Sequence, residues 1–501
     1  MMGAAQFRCQ SGAPHTVCGI VGHVSTSLVN QQIYDSLLLL QHRGQDSTGI
    51  ATAEGSTLHQ VKLKGQVREG YRTRDMRTLL GNVGLGHVRY ATSGSAKSED
   101  EVQPFYVNAP YGLVLVHNGN LTNTRELTDE LFNIDRRHLN SPSDTEILLN
   151  VLANALQEQI SGAELTADQL FDAVADVHRR VEGSYAAITL IAGYGMLAFR
   201  DPFGIRPLVL GRRYDEVGRE EWVVASESLV LDSGGYELVR DVEPGEAIFI
   251  TNAGRMYSRQ CATSPQLSPC SFEYVYLARP DSTMSGISVY DTRLRMGEKL
   301  AHKIEREIDV NEIDVVMPIP DSARPSAMQL AQTLGIPYRE GFYKNRYVGR
   351  TFIMPGQKAR KKSVRQKLNA LPSEFRGKNV LLVDDSIVRG TTSKEIVEMA
   401  RWAGAKKVFF ASAAPPVRYP HVYGINMPTR GELVASARTV EEVCSVIGAD
   451  ALIYQDVDDL FDAITQGSDV TSLDMSCFTG EYVTGTVTPE YLAWLETSQT
   501  S

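Results

Sequence analysis

The run Asn379–Ser393, NVLLVDDSIVRGTTS, limits the possible folds of this chain more than any other stretch. Val380 to Val383 are apolar without interruption, as in a strand covered on both faces. The strand ends in two adjacent carboxylates, Asp384 and Asp385, and a Ser, Gly and Thr loop leads into a helical pattern from Ser393 to Ala403. A second apolar run, Lys407 to Ala411, follows. Strand, helix and strand in that order predict an open parallel sheet with a right-handed crossover. Asp-Asp alone would be an acidic cap on an ordinary turn. With Arg389, Gly390, Thr391 and Thr392 added, the loop offers backbone N–H groups, hydroxyls and a helix N-terminus to one phosphate.

The preceding stretch has the same texture. A helical pattern from Thr292 to Ile308 is followed by the apolar run Val315 to Ile319, and PIPDSARPS (318–326) ends that strand. In a parallel sheet both loops lie at the carboxyl edge, where such folds bind their ligands.

Further upstream the pattern differs. From Cys18 to about Ile250, short β-rich runs (Cys18 to Val24, Val83 to Val88, Gly112 to His117, Ala186 to Ala192, Trp222 to Ala225) alternate with glycine, asparagine and proline. Asn30 to Gln41 and Asp144 to Ile160 have the 3.6-residue spacing of helices that cover a sheet. At roughly 100 to 200 residues per domain, 501 residues predict two large domains or three small ones. The two prolines of Ser264 to Cys270, SPQLSPC, mark the linker region.

Four segments of the first half belong together: CGIVG (18–22), QHRGQDSTG (41–49), GHVRYATSG (86–94) and HNGN (117–120). Singly, each has a structural explanation: a core cysteine, a solvated arginine, an Asn-Gly tight turn. In this order they resemble the N-terminal-nucleophile glutamine amidotransferases. The resemblance implies a Cys18 thiol nucleophile with its own α-amino group as base, and an oxyanion hole made by the Asn118 side chain and the Gly119 N–H. It also implies Arg89 on the glutamine α-carboxylate and Asp144 on its α-ammonium group, with Arg43 near the nucleophile, where a structural ion pair is an equal alternative. The chemistry fits, because amide cleavage needs a nucleophile, a proton acceptor and donors aimed at the developing oxyanion. An α-amine with a pKa of about 7.7 to 8.0 suits a thiol of about 8.5.

The second half resembles the type I phosphoribosyltransferases, and the two halves in this order resemble the amidophosphoribosyltransferase family. The expected fold class is α/β: a four-layer α+β sandwich over 18–263, then a phosphoribosyltransferase α/β domain with a parallel sheet over 264–470. Residues 1–17 are expected to be an extension or propeptide, and 471–501 an outer C-terminal segment. By resemblance Ser386, Ile387, Val388, Arg389, Gly390, Thr391 and Thr392 cradle the 5-phosphate of phosphoribosyl pyrophosphate. Asp384 and Asp385 hold the ribose hydroxyls, directly or through one Mg²⁺ per subunit, and Ser322 matches a metal-associated position. Lys344 to Lys367, with nine Lys or Arg and no acid, matches the family's flexible loop.

An α-nitrogen within a peptide bond cannot act as a base, yet seventeen residues precede Cys18. Either they are removed, or the working chain starts at Val17, read from a valine start codon and then trimmed. One branch of the family carries a four-cysteine iron-sulfur cluster. Here Cys270 and Cys477 match two ligand positions, while Asp474 and His421 stand at the others, so no iron-sulfur cluster is expected.

A net charge of -10 opposes any general affinity for nucleic acid or anionic membrane. Six cysteines with no CxxC pair, and no signal-like first residues, indicate a reducing, cytoplasmic setting. The family further implies purine nucleotides as feedback inhibitors and a homotetramer. Glutaminase halves also occur in asparagine synthetase and in the enzyme that makes glucosamine 6-phosphate, but those need a different second half. A non-catalytic nucleotide-binding regulator would not need both acids, the phosphate loop and the whole amidase set.

Overall fold

Strands that bury one face each need a second layer, and the first half of the chain builds it from its own residues. A computed structural model describes residues 17–89, 101–160, 164–344, 368–425, 427 and 429–500. Its first strands are β1 (Gly19–Val24), β2 (Ser47–Glu54), β3 (Thr57–Lys64), β4 (Val83–Arg89), β5 (Phe105–Val107), β6 (Leu113–Leu121) and β7 (Gly183–Ile191). They continue with β8 (Gly195–Arg200), β9 (Val209–Tyr214), β10 (Glu220–Ala225), β11 (Glu237–Asp241), β12 (Glu246–Thr251) and β13 (Met256–Gln260). One sheet has the order β11-β9-β10-β1-β4-β2-β3 and the other β13-β12-β8-β7-β6-β5, with antiparallel pairing throughout.

Alternation along the strands sets the layers. Ile20, Val24, Val83 and Leu85 from the first sheet meet Val114, Val116, Ala186 and Ile188 from the second in one buried cluster. The odd residues Val21 and Val223 turn instead to the helix Asn30–Leu39. Leu113 and Leu115 turn to the helices Asp144–Gln159 and Ala167–Arg180. Helix, sheet, sheet and helix thus form the expected four-layer sandwich.

The second half begins with a hairpin, β14 (Thr283–Met284) and β15 (Ile287–Ser288), and then the helix Val289–Glu307. Next come β16 (Val315–Pro318), β17 (Phe342–Lys344), β18 (Leu368–Ala370), β19 (Asn379–Asp384), β20 (Lys407–Ser412) and β21 (Ala451–Tyr454). Four of these make a wholly parallel sheet, β16-β19-β20-β21. Its two faces feed separate cores, with Leu381 and Val383 on one side and Val380 and Leu382 on the other, as a doubly covered sheet requires.

Several elements differ from the sequence reading. The strand expected over Gly112 to His117 runs on through Leu121, so Asn118-Gly119 is paired strand, with Asn118 opposite Ala186 and Gly119 opposite Tyr185. The helix expected from Ser393 begins at Thr391, because Gly390 takes the left-handed conformation (φ +73°) that turns the loop into it. The proline-rich stretch 264–270 is a packed connection, since the Ser268 and Cys270 amides donate to the carbonyls of Phe203 and Ile205. Of the expected outer C-terminal segment 471–501, Leu473, Met475, Cys477 and Phe478 are buried in one apolar cluster with Leu381 and Val383. Residues 1–16 of the expected extension and 345–367 of the basic loop lie outside the described residues.

Candidate active site

In the sandwich, the inner face changes from apolar to polar at one end. Alternation from Ile20 puts Cys18 on the inner side just before β1, and Val83 and Leu85 put His87 and Arg89 on the same face of β4. From the facing sheet, Val114 and Val116 do the same for Asn118. His87 interacts electrostatically with both Arg89 and His117, so the ends of β4 and β6 meet. Gln103 joins them further: its amide oxygen accepts from the His117 N–H at 2.7 Å and its NH₂ donates to Thr145 at 2.9 Å.

Each predicted amidase residue has a definite environment. Cys18 is buried and not in a disulfide. Asn118 is 0% exposed, and among the described residues neither its amide nitrogen nor its amide oxygen has a hydrogen-bond partner. Leaving a buried amide unpaired costs about 1–3 kcal/mol, so this side chain needs a partner beyond those the described residues supply. Gly119 has no alternative: a Cβ there would lie 2.1 Å from the Ser184 carbonyl oxygen, at φ +153°. Arg89 pairs with Glu101 at 2.6 Å. Asp144 opens the helix Asp144–Gln159 and accepts from the Leu121 N–H at 3.3 Å, at the end of β6.

Arg43 is engaged elsewhere. Its Nε donates to Glu227, and Nη1 and Nη2 donate to Glu273 at 3.2 and 2.7 Å, so all three guanidinium nitrogens are taken. Burial would pull this guanidinium down, but Glu227 and Glu273 more than offset it and raise its pKa. Burial would likewise raise Glu227, yet Arg43 and His42 hold its carboxyl below the usual range. The side-chain stem lies under the nucleophile's neighbour, since a Cβ on Gly19 would be 3.2 Å from Arg43 Cδ. The structure thus shows Arg43 in a buried ion-pair network with Glu227 and Glu273.

At the carboxyl edge of the parallel sheet, β16 and β19 end side by side, Pro318 opposite Val383. Asp384 and Asp385 follow at once. Burial, and then its neighbour Asp385, push the Asp384 carboxyl well above its ordinary value. Burial also raises Asp385, countered in part by hydroxyl donors from Ser322 and from Ser386, the latter at 2.8 Å. Buried Arg293 also acts on Asp385. Two adjacent acids raised in this way are short of positive charge, and their oxygens with the Ser322 hydroxyl form a hard donor set that fits a magnesium ion. The loop Ser386–Thr392 wraps the start of the helix Thr391–Trp402.

Comparison with known proteins agrees with both halves. The glutamine amidotransferase domain family matches residues 87–233 and the phosphoribosyl transferase domain family matches residues 288–420. The amidophosphoribosyltransferase of Pseudomonas aeruginosa is 57% identical over 481 residues, covering 96% of this chain and 95% of that one. This chain belongs to the amidophosphoribosyltransferase family. The Escherichia coli member is 55% identical, covering 96% of this chain and 95% of its own, and that of Saccharomyces cerevisiae 47%, covering 97% and 96%. A solved glutamine phosphoribosylpyrophosphate amidotransferase of B. subtilis, complexed with ADP and GMP, superposes with a TM-score of 0.81 at 38% identity, covering 93% of this chain and 97% of that chain.

As a member of this family the chain is an enzyme with a glutamine amidotransferase domain and a phosphoribosyl transferase domain. Sequence reasoning missed the residues that hold its sites in place: Glu101 on Arg89, Gln103 beside His117, Glu227 and Glu273 on Arg43, and Arg293 near Asp385. Each is an ordinary charged or polar residue outside any motif, and only its buried partner marks it. The positions compared with the cluster-bearing branch do converge. Cys270 Sγ lies 3.4 Å from His421 Nε2, which lies 2.9 Å from Asp474 Oδ2, and the three ligand atoms fall within 4.8 Å of one another. Burial pushes the Cys270 thiol up to about 12 and raises Cys477 as well. No helix among the described residues is long and apolar enough to cross a membrane.

Proposed function

We propose that this enzyme releases ammonia from glutamine and transfers it to phosphoribosyl pyrophosphate, giving 5-phosphoribosylamine, glutamate and pyrophosphate, the first step of de novo purine synthesis. One observation carries the reading: the same chain holds a fully buried Asn118 amide, without a partner among the described residues, at the Cys18 end of the sandwich and an under-compensated Asp384–Asp385 pair beside the loop Ser386–Thr392.

In the amidase half Cys18 attacks the side-chain carbonyl of glutamine while its α-amine, once exposed by removal of the preceding residues, takes the thiol proton. Asn118 and the Gly119 N–H receive the oxyanion. The amide C–N bond breaks, ammonia leaves with the proton, and water hydrolyses the thioester to glutamate. Arg89 would exchange Glu101 for the α-carboxylate of glutamine, and Asp144 would hold its α-ammonium group.

In the transferase half the N–H groups and hydroxyls of Ser386 to Thr392 hold the 5-phosphate, and Asp384 and Asp385 the ribose hydroxyls. Asp384, Asp385 and Ser322 would hold one Mg²⁺ per subunit, which supplies charge neutralisation on the departing pyrophosphate. Ammonia then attacks C1 as the bond to pyrophosphate breaks. With His421 and Asp474 at the other positions, only Cys270 and Cys477 can supply thiolates there, which supports a chain without a four-thiolate iron-sulfur cluster. We further infer a cytoplasmic homotetramer inhibited by purine nucleotides, in line with the B. subtilis relative complexed with ADP and GMP.

Pyrophosphate release assayed with glutamine and separately with ammonium salt tests the reading, alongside an intact mass. Both nitrogen sources should support turnover once Cys18 is the first residue. Failure of both would overturn it.

A further inference from the structure

Resting on that reading, the structure bears on what aligns the oxyanion donors. The strand β6 that carries Asn118 and Gly119 is not held by its own sheet alone. The Asn120 side-chain NH₂ donates to the carbonyl of Val422 at 2.9 Å, and the hydroxyl of Ser184, opposite Asn120 in β7, donates to the carbonyl of Tyr423 at 2.9 Å. Gly424 then lies on the backbone of Gly119 so closely that a Cβ would sit 2.8–2.9 Å from its carbonyl carbon, its oxygen and Cα, and φ is +97°. Three successive residues of the transferase half are thus seated on the strand of the oxyanion hole.

That seat is rigid on its far side. His421 Nδ1 accepts from the Tyr423 N–H at 3.2 Å while Nε2 bonds Asp474, and the Tyr423 hydroxyl lies 2.9 Å from the Thr484 hydroxyl. A few residues on, the same stretch of chain touches the phosphate loop: the Val434 N–H donates to the Val388 carbonyl at 2.8 Å, and Val434 Cγ2 lies 3.0 Å from where a Cβ on Gly390 would be.

We propose that Asn120, Ser184 and Gly424 are positioning residues, through which the transferase half sets the placement of Asn118 and Gly119. None of the three touches the reacting atoms in this scheme. They act on the oxyanion donors, whose contribution is made in the transition state, whereas Arg89 and Asp144 bind ground-state glutamine. Loss of the seat therefore lowers kcat and leaves KM in place.

The test compares Gly424→Ala and Ser184→Ala with the wild-type enzyme, using glutamine and ammonium in turn. Gly424→Ala should lower the glutamine-dependent kcat about 10²-fold, the effect of an ångström-scale misplacement. Ser184→Ala should lower it about fivefold, the effect of one lost hydrogen bond. In both, KM for glutamine and the ammonium-dependent rate should stay within twofold of wild type. Equal loss with both nitrogen sources, a raised glutamine KM at unchanged kcat, or no change in Ser184→Ala would each overturn the proposal. Ser184→Ala adds no atoms and serves as the test if the bulkier variant does not fold. Wild-type enzyme inactive with ammonium would refute the transferase reading instead, a result visible without any variant.

Discussion

Arg43 and Glu273, which lies in the segment leading into the second half, form a buried two-point ion pair, 2.7 Å at the shorter contact, with Glu227 closing the other side of the guanidinium. Arg206 donates to the same Glu273 at 3.1 Å, so the carboxylate is shared between two buried arginines. The network lies directly beneath the start of β1 and makes the junction between the halves part of the folded core.

Replacing Arg43 with Met should therefore act mainly on stability. It leaves Glu227 and Glu273 with uncompensated buried charge, which costs about 3–5 kcal/mol. Denaturant titration should show that loss, and the double replacement of Arg43 and Glu273 by apolar residues should recover part of it. A stability equal to wild type in Arg43→Met would show that the pair does not hold the junction.

Asn118→Ala should separate the two nitrogen sources. Removing one oxyanion donor costs about 10²–10³ in rate, so the glutamine-dependent kcat should fall by that factor while the ammonium-dependent rate persists. Steady-state pyrophosphate release with each source checks it.

Asp384→Asn should trade activity for stability. Burial and Asp385 raise the Asp384 carboxyl in the fold, so the folded state binds its proton more tightly than the unfolded chain. Its stabilising contribution is complete below about pH 4, the unfolded value, and is lost as pH rises through the raised folded value. At neutral pH the variant should thus be more stable by about 0.5–2 kcal/mol, as at other functional sites, with the gain vanishing toward pH 4. The asparagine keeps the oxygen that accepts from the Asp385 N–H at 3.0 Å, while transfer to the ribosyl substrate should be lost. Melting curves across pH, with pyrophosphate release, test both arms.

His23 and His178 give a second pH dependence, of opposite sign. Burial holds His23 near 3, with Arg213 contributing, and His178 near 4. The unfolded chain takes up these protons near pH 6.5 and the fold does not, so stability is complete above that value and falls as pH drops toward the folded values. Each group adds about 1.4 kcal/mol per pH unit in that window. His23→Gln should reduce the slope of unfolding free energy between pH 6 and 4 by that amount.

The transferase loop was legible because its chemistry is contiguous: strand, acids, hydroxyls and helix start follow one another from Asn379, and a parallel strand that carries them has one carboxyl end. In the sandwich it is the structure that puts Cys18 in step with Ile20 and Asn118 in step with Val114 and Val116. That Asn118-Gly119 is paired strand and not a turn was hidden, because an Asn-Gly pair prefers tight turns until pairing with β7 overrides it. The partners of Arg43 were hidden for a different reason. Glu227 and Glu273 are 184 and 230 residues away, and no local pattern distinguishes a carboxylate that will be buried from one that will be solvated. The same holds for the carbonyls of Val422 and Tyr423, whose partners Asn120 and Ser184 are 302 and 239 residues away. Local spacing and chemistry determined which groups this chain can use. Which of them face each other, and which are neutralised on the way, was decided by packing, because burial alone makes a charge or an amide need one particular partner.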